Sequence, residues 1–118
     1  MSKKCGLLSF GRVLFFCLSL LINISCNHLF YHPDSKVYYD LKSLPLDVRE
    51  GFTATRDGER LQYFDLRPLE PYKAAIVQFH GNAQNQTVHI FIVIWLVDKG
   101  YRVVSFDYRE YGQSTGVP

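Results

Sequence analysis

Residues 74–85 read Ala-Ala-Ile-Val-Gln-Phe-His-Gly-Asn-Ala-Gln-Asn, and the fold turns on how this stretch is read. Residues suited to a strand stop abruptly at His80-Gly81. A polar turn then leads into the apolar run 88–97. Strand, tight glycine turn and helix in that order make half of a βαβ unit. The other half follows at once, because residues 101–107 (Tyr-Arg-Val-Val-Ser-Phe-Asp) read as a second buried strand. Open α/β sheets place their ligand chemistry at the carboxyl ends of such strands.

The run 88–97 (Val-His-Ile-Phe-Ile-Val-Ile-Trp-Leu-Val) is apolar on nearly every side and rich in β-branched residues. Propensity alone would allow a strand. A helix is expected instead, because Asp98-Lys99-Gly100 offers a glycine C-cap and a parallel connection needs a crossover of about a dozen residues. His89 within it reads as structural. The run has about half the length needed to cross a bilayer.

Upstream, residues 48–55 and 60–66 alternate as strands around Arg56-Asp57-Gly58-Glu59. Asp-Gly between strand-like runs signals a hairpin whose two central residues take φ > 0. This antiparallel pair is expected at the sheet's edge, closed by Pro68 and Pro71. Residues 27–46 hold Pro33, Pro45 and the cluster Tyr31, Tyr38 and Tyr39, with no sustained period. They read as an extended arm whose aromatics pack against the domain edge.

The leader is of a different kind. Residues 1–12 are short and basic, and residues 13–24 are apolar apart from Ser19 and Asn23. A basic start, a short apolar core and the small Ser25 describe a secretory signal. Residues 21–26 (Leu-Ile-Asn-Ile-Ser-Cys) resemble a bacterial lipoprotein signal, which implies that Cys26 is the lipid attachment point. An uncleaved anchor reaching back through Leu7, Leu8 and Phe10, or a plain secreted chain, are the alternatives. All three place the body outside the cytosol, and the first two at a membrane. Cys5 and Cys17 fall inside the leader, so no disulfide framework is available.

The 118 residues, 47% hydrophobic and 15% aromatic, suit one globular domain. Three of the 13 basic groups (Lys3, Lys4, Arg12) precede Cys26, which leaves 10 against 11 acidic residues in the body. A near-neutral body without a basic patch is not built for a phosphate backbone, so nucleic acid is excluded as a partner. His28, His32, His80 and His89 lack ligand spacing with carboxylates or thiols, so neither a metal nor another cofactor is called for.

The chemistry rests on two motifs. Residues 79–85 (Phe-His-Gly-Asn-Ala-Gln-Asn) followed by residues 106–114 (Phe-Asp-Tyr-Arg-Glu-Tyr-Gly-Gln-Ser) resemble the start of an α/β-hydrolase. The branch it looks like is that of serine hydrolases with an "HGN" loop and an "FDYRGYGxS" loop, which includes membrane-anchored and lipoprotein members. The similarity covers residues 48–118. It implies an oxyanion loop at Gly81, Asn82 and Ala83, with the N–H of Asn82 or Ala83 as a donor and His80 as loop support. Acyl transfer builds negative charge on a carbonyl oxygen, and fixed N–H groups there lower the barrier. Gly81 is expected to let the chain turn sharply. The plainer reading is that Gly81-Asn82 is only a turn between strand and helix.

Two departures matter. Glu110 stands where the branch has glycine, and a turn wanting φ > 0 there would be strained. Residues 112–116 (Gly-Gln-Ser-Thr-Gly) fit the G-x-S-x-G pattern of a nucleophile elbow, but an elbow needs a strand immediately before it and a helix after. Residues 108–111 intervene, so Ser114 is not expected to be the nucleophile. The triad is expected beyond Pro118.

The expected architecture is therefore α/β: a leader (1–26), an arm (27–46) and an N-terminal portion of an α/β-hydrolase sheet (47–118), with an antiparallel edge hairpin and one β-α-β unit. The function implied is a membrane-tethered serine hydrolase for a small ester or amide, present here as an oxyanion half. The alternative is an inactive truncated lipoprotein or a binding module. A sheet cut there would leave residues 74–79 as an open apolar edge and one sheet face uncovered, which predicts poor solubility.

Overall fold

The computed structural model describes residues 12, 15, 30–69 and 71–117. Two compact units divide it, Met1–Tyr31 and His32–Pro118. The leader and Cys26 lie outside the described residues apart from Arg12 and Phe15, both helical. Among the described residues, no helix is long and apolar enough to cross a membrane.

Among its described residues the second unit carries six strands: β1 (His32–Pro33), β2 (Asp47–Ala54), β3 (Arg60–Arg67), β4 (Ala75–Phe79), β5 (Ala83–Gln84) and β6 (Arg102–Phe106). The main sheet runs β2-β3-β6-β4, and β1 pairs with β5 alongside it. β2 and β3 are antiparallel, β3 and β6 antiparallel, and β4 and β6 parallel, with Val77 opposite Val104. The hairpin and the parallel pair fall where alternation and punctuation place them.

The hairpin turn differs in type from the expectation. Only Gly58 takes positive φ, at 88°. Thr55 C=O accepts from Gly58 N–H, and Thr55 N–H donates to Glu59 C=O. These bonds make a tight turn followed by a glycine bulge, which requires one left-handed residue rather than two.

The crossover also departs from the expectation of a single helix over 88–97. Helix α1 (Gln86–His89) gives way to 3₁₀ turns at Ile90–Ile92 and Ile94–Leu96. Val88, Ile90, Ile92, Val93 and Ile94 are β-branched, stiff at χ1 and crowded against the preceding turn, so the α ladder is weakly favoured there. Bonds from Val93 to Ile90 and from Val97 to Ile94 tighten the coil instead. The segment ends as its glycine predicts. Tyr101 N–H donates to Leu96 C=O and Gly100 N–H to Val97 C=O, the paired bonds of a Schellman cap.

One face of the sheet holds the core. Phe64, Leu66 and Val103 pack against Ile90 and Val97 of the crossover and against Leu41, which is 1% exposed. Leu41 belongs to a short 3₁₀ turn, Leu41–Ser43, inside the stretch expected as an arm. Residues 32–46 are therefore built into the sheet's unit rather than laid along it. The opposite face carries Val77 and Phe79, exposed by 54% and 69%, with Phe79 edge-on to Phe106 at 5.3 Å. Among the described residues β4 pairs only with β6, so its outer edge is open there.

Candidate functional site

The residues leaving β4 and β6 meet at the sheet's carboxyl end. Gly81, Asn82, Ala83 and Gln84 are all exposed, whereas His80 on one side and Asn85, Gln86 and Thr87 on the other are buried. The loop is thus a surface segment pinned at both ends. Gly81 does not make the sharp corner expected of it; the left-handed residue is Gln84, at φ 62°. Ala83–Gln84 instead runs as a strand beside His32–Pro33, so the turn is displaced to where that pairing ends.

His80 sits under the loop. Its Nδ1–H donates to Gly81 C=O at 2.7 Å. Its ring lies against Tyr108 (4.3 Å) and Tyr111 (5.1 Å) and stacks near His89 (5.7 Å). Nε2 approaches Asp107 Oδ1 at 3.2 Å but is not aligned for a hydrogen bond, so this buried nitrogen has a charged neighbour and no aligned acceptor. From above the crossover, His89 Nε2–H donates to Ala83 C=O at 2.7 Å. Tyr108 OH donates to His80 C=O at 3.0 Å, and burial raises the Tyr108 phenol above its ordinary pKa. Tyr111, 1% exposed, directs its hydroxyl at Asn82 C=O (2.7 Å) and Asn82 Oδ1 (2.9 Å).

Asp107 is the hub of a second layer. It is fully buried, accepting from Gln86 N–H at 2.8 Å and from Gln86 Nε2 at 2.9 Å. Gln86 is the first residue of α1, so the carboxylate also faces the positive end of the crossover's first turn. Ser114 is buried beside it. Its Oγ accepts from Gln62 N–H and donates to Asp107 C=O, both at 2.9 Å. The hydroxyl is committed in both directions, within an irregular loop. That is the arrangement of a loop staple, not of an exposed attacking group.

Glu110 takes φ 66° and Gly112 φ 56°, so the loop does demand left-handed backbone where the sequence places Glu110. A β-carbon at Gly112 would lie 1.9 Å from Asp107 Oδ2.

Sequence reasoning singled out His80, Gly81, Asn82, Ala83 and Ser114, and all five lie at this end of the sheet. Cys26 lies outside the described residues. It passed over Asp107, Gln86, Asn85, Tyr108 and Tyr111. A polar residue closing an apolar strand marks Asp107, and an asparagine just before a helix marks Asn85 as an N-cap. Nothing local marks the two tyrosines. Among the described residues, no three His, Cys, Asp or Glu side chains come together to hold a metal. A depression of about 630 Å³ lies at the other end of the sheet, lined by Leu44, Leu46, Arg67, Leu69 and Val97. It holds no nucleophile–base pair, and the loop end is the better candidate.

No known family's sequence profile matches the chain. It is 37% identical over 110 residues to the uncharacterized protein YfhR of Escherichia coli K12, covering 90% of this chain and 37% of that protein. It is 30% identical over 99 residues to the uncharacterized protein R595 of Acanthamoeba polyphaga mimivirus, covering 76% and 33%. The chain therefore spans about a third of the length of the curated relatives it matches. Among solved structures, the Pyrococcus furiosus esterase Pf2001 superposes with a TM-score of 0.61 at 21% identity, over 74% of this chain and 34% of that one. The α/β-hydrolase GrgF from Penicillium sp. sh18 gives 0.51 at 24% identity, over 64% and 25%. The fold is that of part of an α/β-hydrolase.

Proposed function

We propose that residues 32–118 form the oxyanion side of a membrane-tethered serine hydrolase acting on a small ester or amide. Gly81, Asn82 and Ala83 serve as the oxyanion loop, His80 as its support, and the nucleophile, acid and histidine come from polypeptide beyond Pro118. The observation that carries this reading is the exposed loop 81–84 at the carboxyl end of β4, braced underneath by His80, His89, Tyr108 and Tyr111. Three of these bonds end on the carbonyls of Gly81, Asn82 and Ala83 and the fourth on His80 C=O, so they fix the backbone that carries the main-chain donors. A single such donor is worth about 10²–10³ in kcat. The similarity to an esterase fold and the short span against YfhR agree with it. Tethering rests on Cys26, whose acylation would hold the unit at the outer side of a membrane.

The test uses the polypeptide as its own cell makes it, captured with an antibody against the sheet unit and treated with a fluorophosphonate. The expected product is heavier than 13.7 kDa and labelled on a serine outside residues 1–118. Label on Ser114 would overturn the site, and an unlabelled product would overturn the hydrolase. An unlabelled, membrane-bound product no heavier than 13.7 kDa would instead support a binding module, which the open edge of β4 favours as a strand-accepting surface. Release from the membrane on Cys26→Ala is expected; retention would remove the lipid anchor from the reading.

A further inference from the structure

Residues 32–38 are tied at every second position to the candidate loop and the start of α1. His32 N–H donates to Asn82 Oδ1 at 3.3 Å, and β1 pairs in parallel with β5, His32 opposite Ala83 and Pro33 opposite Gln84. Asp34 C=O accepts from Asn85 Nδ2 at 2.9 Å, and Lys36 C=O accepts from the same nitrogen at 2.8 Å. Tyr38 N–H donates to Thr87 Oγ1 at 3.2 Å.

Asn85 stands at the centre of these ties. It is fully buried and uses both halves of its amide. The oxygen accepts from Thr87 N–H (3.0 Å) and Thr87 OH (2.6 Å), capping α1. The nitrogen gives its two hydrogens to the two carbonyls of residues 34 and 36. Flipping the amide would set NH₂ against an N–H and oxygen against two carbonyls, so the hydrogen-bond network fixes the orientation. Four acceptor and donor positions are all satisfied, the condition under which a buried polar group specifies one geometry. Immediately before it, Gln84 holds φ 62° without being glycine. Such a conformation persists where its surroundings over-determine it.

We infer that Asn85 is a positioning residue: by clipping the carbonyls of Asp34 and Lys36 it makes residues 32–38 a strap that sets the shape of the loop Gly81–Gln84. The inference rests on the oxyanion role proposed for that loop and adds its control. The strap lies at the start of the sheet unit, so a displacement of residues 34–36 would reach the loop through Asn85, beside the direct pairing of residues 32–33 with Ala83 and Gln84.

Asn85→Ser separates the two jobs of the residue. A serine is as good an N-cap as asparagine, so α1 keeps its start while the strap loses both donors. In the full polypeptide, hydrogen exchange of the amides of residues 81–84 is expected to rise at least tenfold, with β3 and β6 amides unchanged. Asn85→Asp, which also keeps the cap oxygen, is the second variant should serine fold poorly. Turnover per fluorophosphonate-titrated site should fall about tenfold or more with KM within twofold, because a misaimed donor weakens transition-state stabilisation more than binding. Unchanged loop exchange, or a rise shared equally by the sheet, overturns the strap, as does a loosened loop with unaltered turnover per titrated site. A wild-type polypeptide that takes no label sinks the hydrolase reading alone; the exchange measurement still decides the strap.

Discussion

The loops that follow the two parallel strands are built on opposite plans. Residues 80–85, after β4, are exposed in the middle and held by groups reaching in from elsewhere: Tyr111, His89 and the strap. Residues 107–114, after β6, begin and end on buried side chains; Ser114 bonds to β3, while Asp107, Tyr108, Tyr111 and Gly112 reach out to Gln86, His80, Asn82 and Asp34. A loop that must meet a substrate has to keep its backbone at the surface, so beyond His80 and Asn85 at its ends it needs fasteners buried elsewhere. The second loop supplies them. Substitutions in the second loop should therefore act on stability, and substitutions in the first should act on chemistry and leave stability nearly alone.

The largest effect is expected at Gly112. Its φ of 56° already disfavours a β-carbon, and that carbon would lie 1.9 Å from Asp107 Oδ2 and 2.8 Å from its Cγ. Neither the buried carboxylate nor the loop backbone can move without releasing Gln86. Gly112→Ala should cost about 3 kcal/mol or more, in the range of overpacked cores with added backbone strain. Thermal denaturation checks it. A variant melting within a few degrees of wild type would show that the second loop is not the rigid partner.

Ser114→Ala comes next. It removes a buried hydroxyl that accepts from Gln62 N–H and donates to Asp107 C=O. The orphaned N–H is the costly part, so the loss should be about 1–2 kcal/mol. Fluorophosphonate labelling of the full polypeptide should be undiminished per folded molecule. Equal stability with lost labelling would reverse the roles assigned to the two loops.

What could be read from sequence follows the same division. The hairpin, the parallel pair and the position of both loops were legible, because alternation, Asp57-Gly58 and His80-Gly81 are local signals. The left-handed position at Glu110 was legible too, through its departure from glycine. The fasteners were not. Asn85 reaches Asp34 across 51 positions and Asp107 reaches Gln86 across 21, and no periodicity encodes such pairs. Leu41 was lost in the same way, since one leucine in an irregular segment carries no pattern. The broken crossover was not legible: its β-branched run was read as allowing a strand and its capping glycine as ending a single helix, and only the cap held.

Gly81→Ala sharpens the contrast between two glycines of similar standing in the sequence. The first loop's glycine has no positive φ, and its β-carbon would meet the His89 ring at Cε1 (3.4 Å) and Nε2 (3.9 Å), ordinary contacts. Stability should change by no more than about 0.5 kcal/mol, the range of an unstrained surface substitution. The measurement is a denaturant midpoint set beside that of Gly112→Ala. A large loss at Gly81 would mean that the exposed loop carries hidden strain.

The smallest effect lies where the second loop touches the hairpin turn. Arg109 Nη2 bonds both oxygens of Asp57, at 2.8 and 2.7 Å, and Thr55 OH donates to the same carboxylate at 2.5 Å. The Thr55 hydroxyl first, and the guanidinium second, hold the Asp57 pKa below the ordinary carboxylate value. A folded pKa below the unfolded one gives stabilisation that is complete above the ordinary value of about 4 and fades as pH falls through the depressed one. The group is exposed, so the contribution is slight and, in its Arg109 part, screened by salt. Titration of the Asp57 carboxyl by NMR should show the midpoint rising more in Thr55→Val than in Arg109→Ala. About 1 M salt should shrink only the Arg109 share. The reverse ranking would mean that charge, not the turn's own hydroxyl, secures this corner, and that the second loop depends on an outside fastener as the first does.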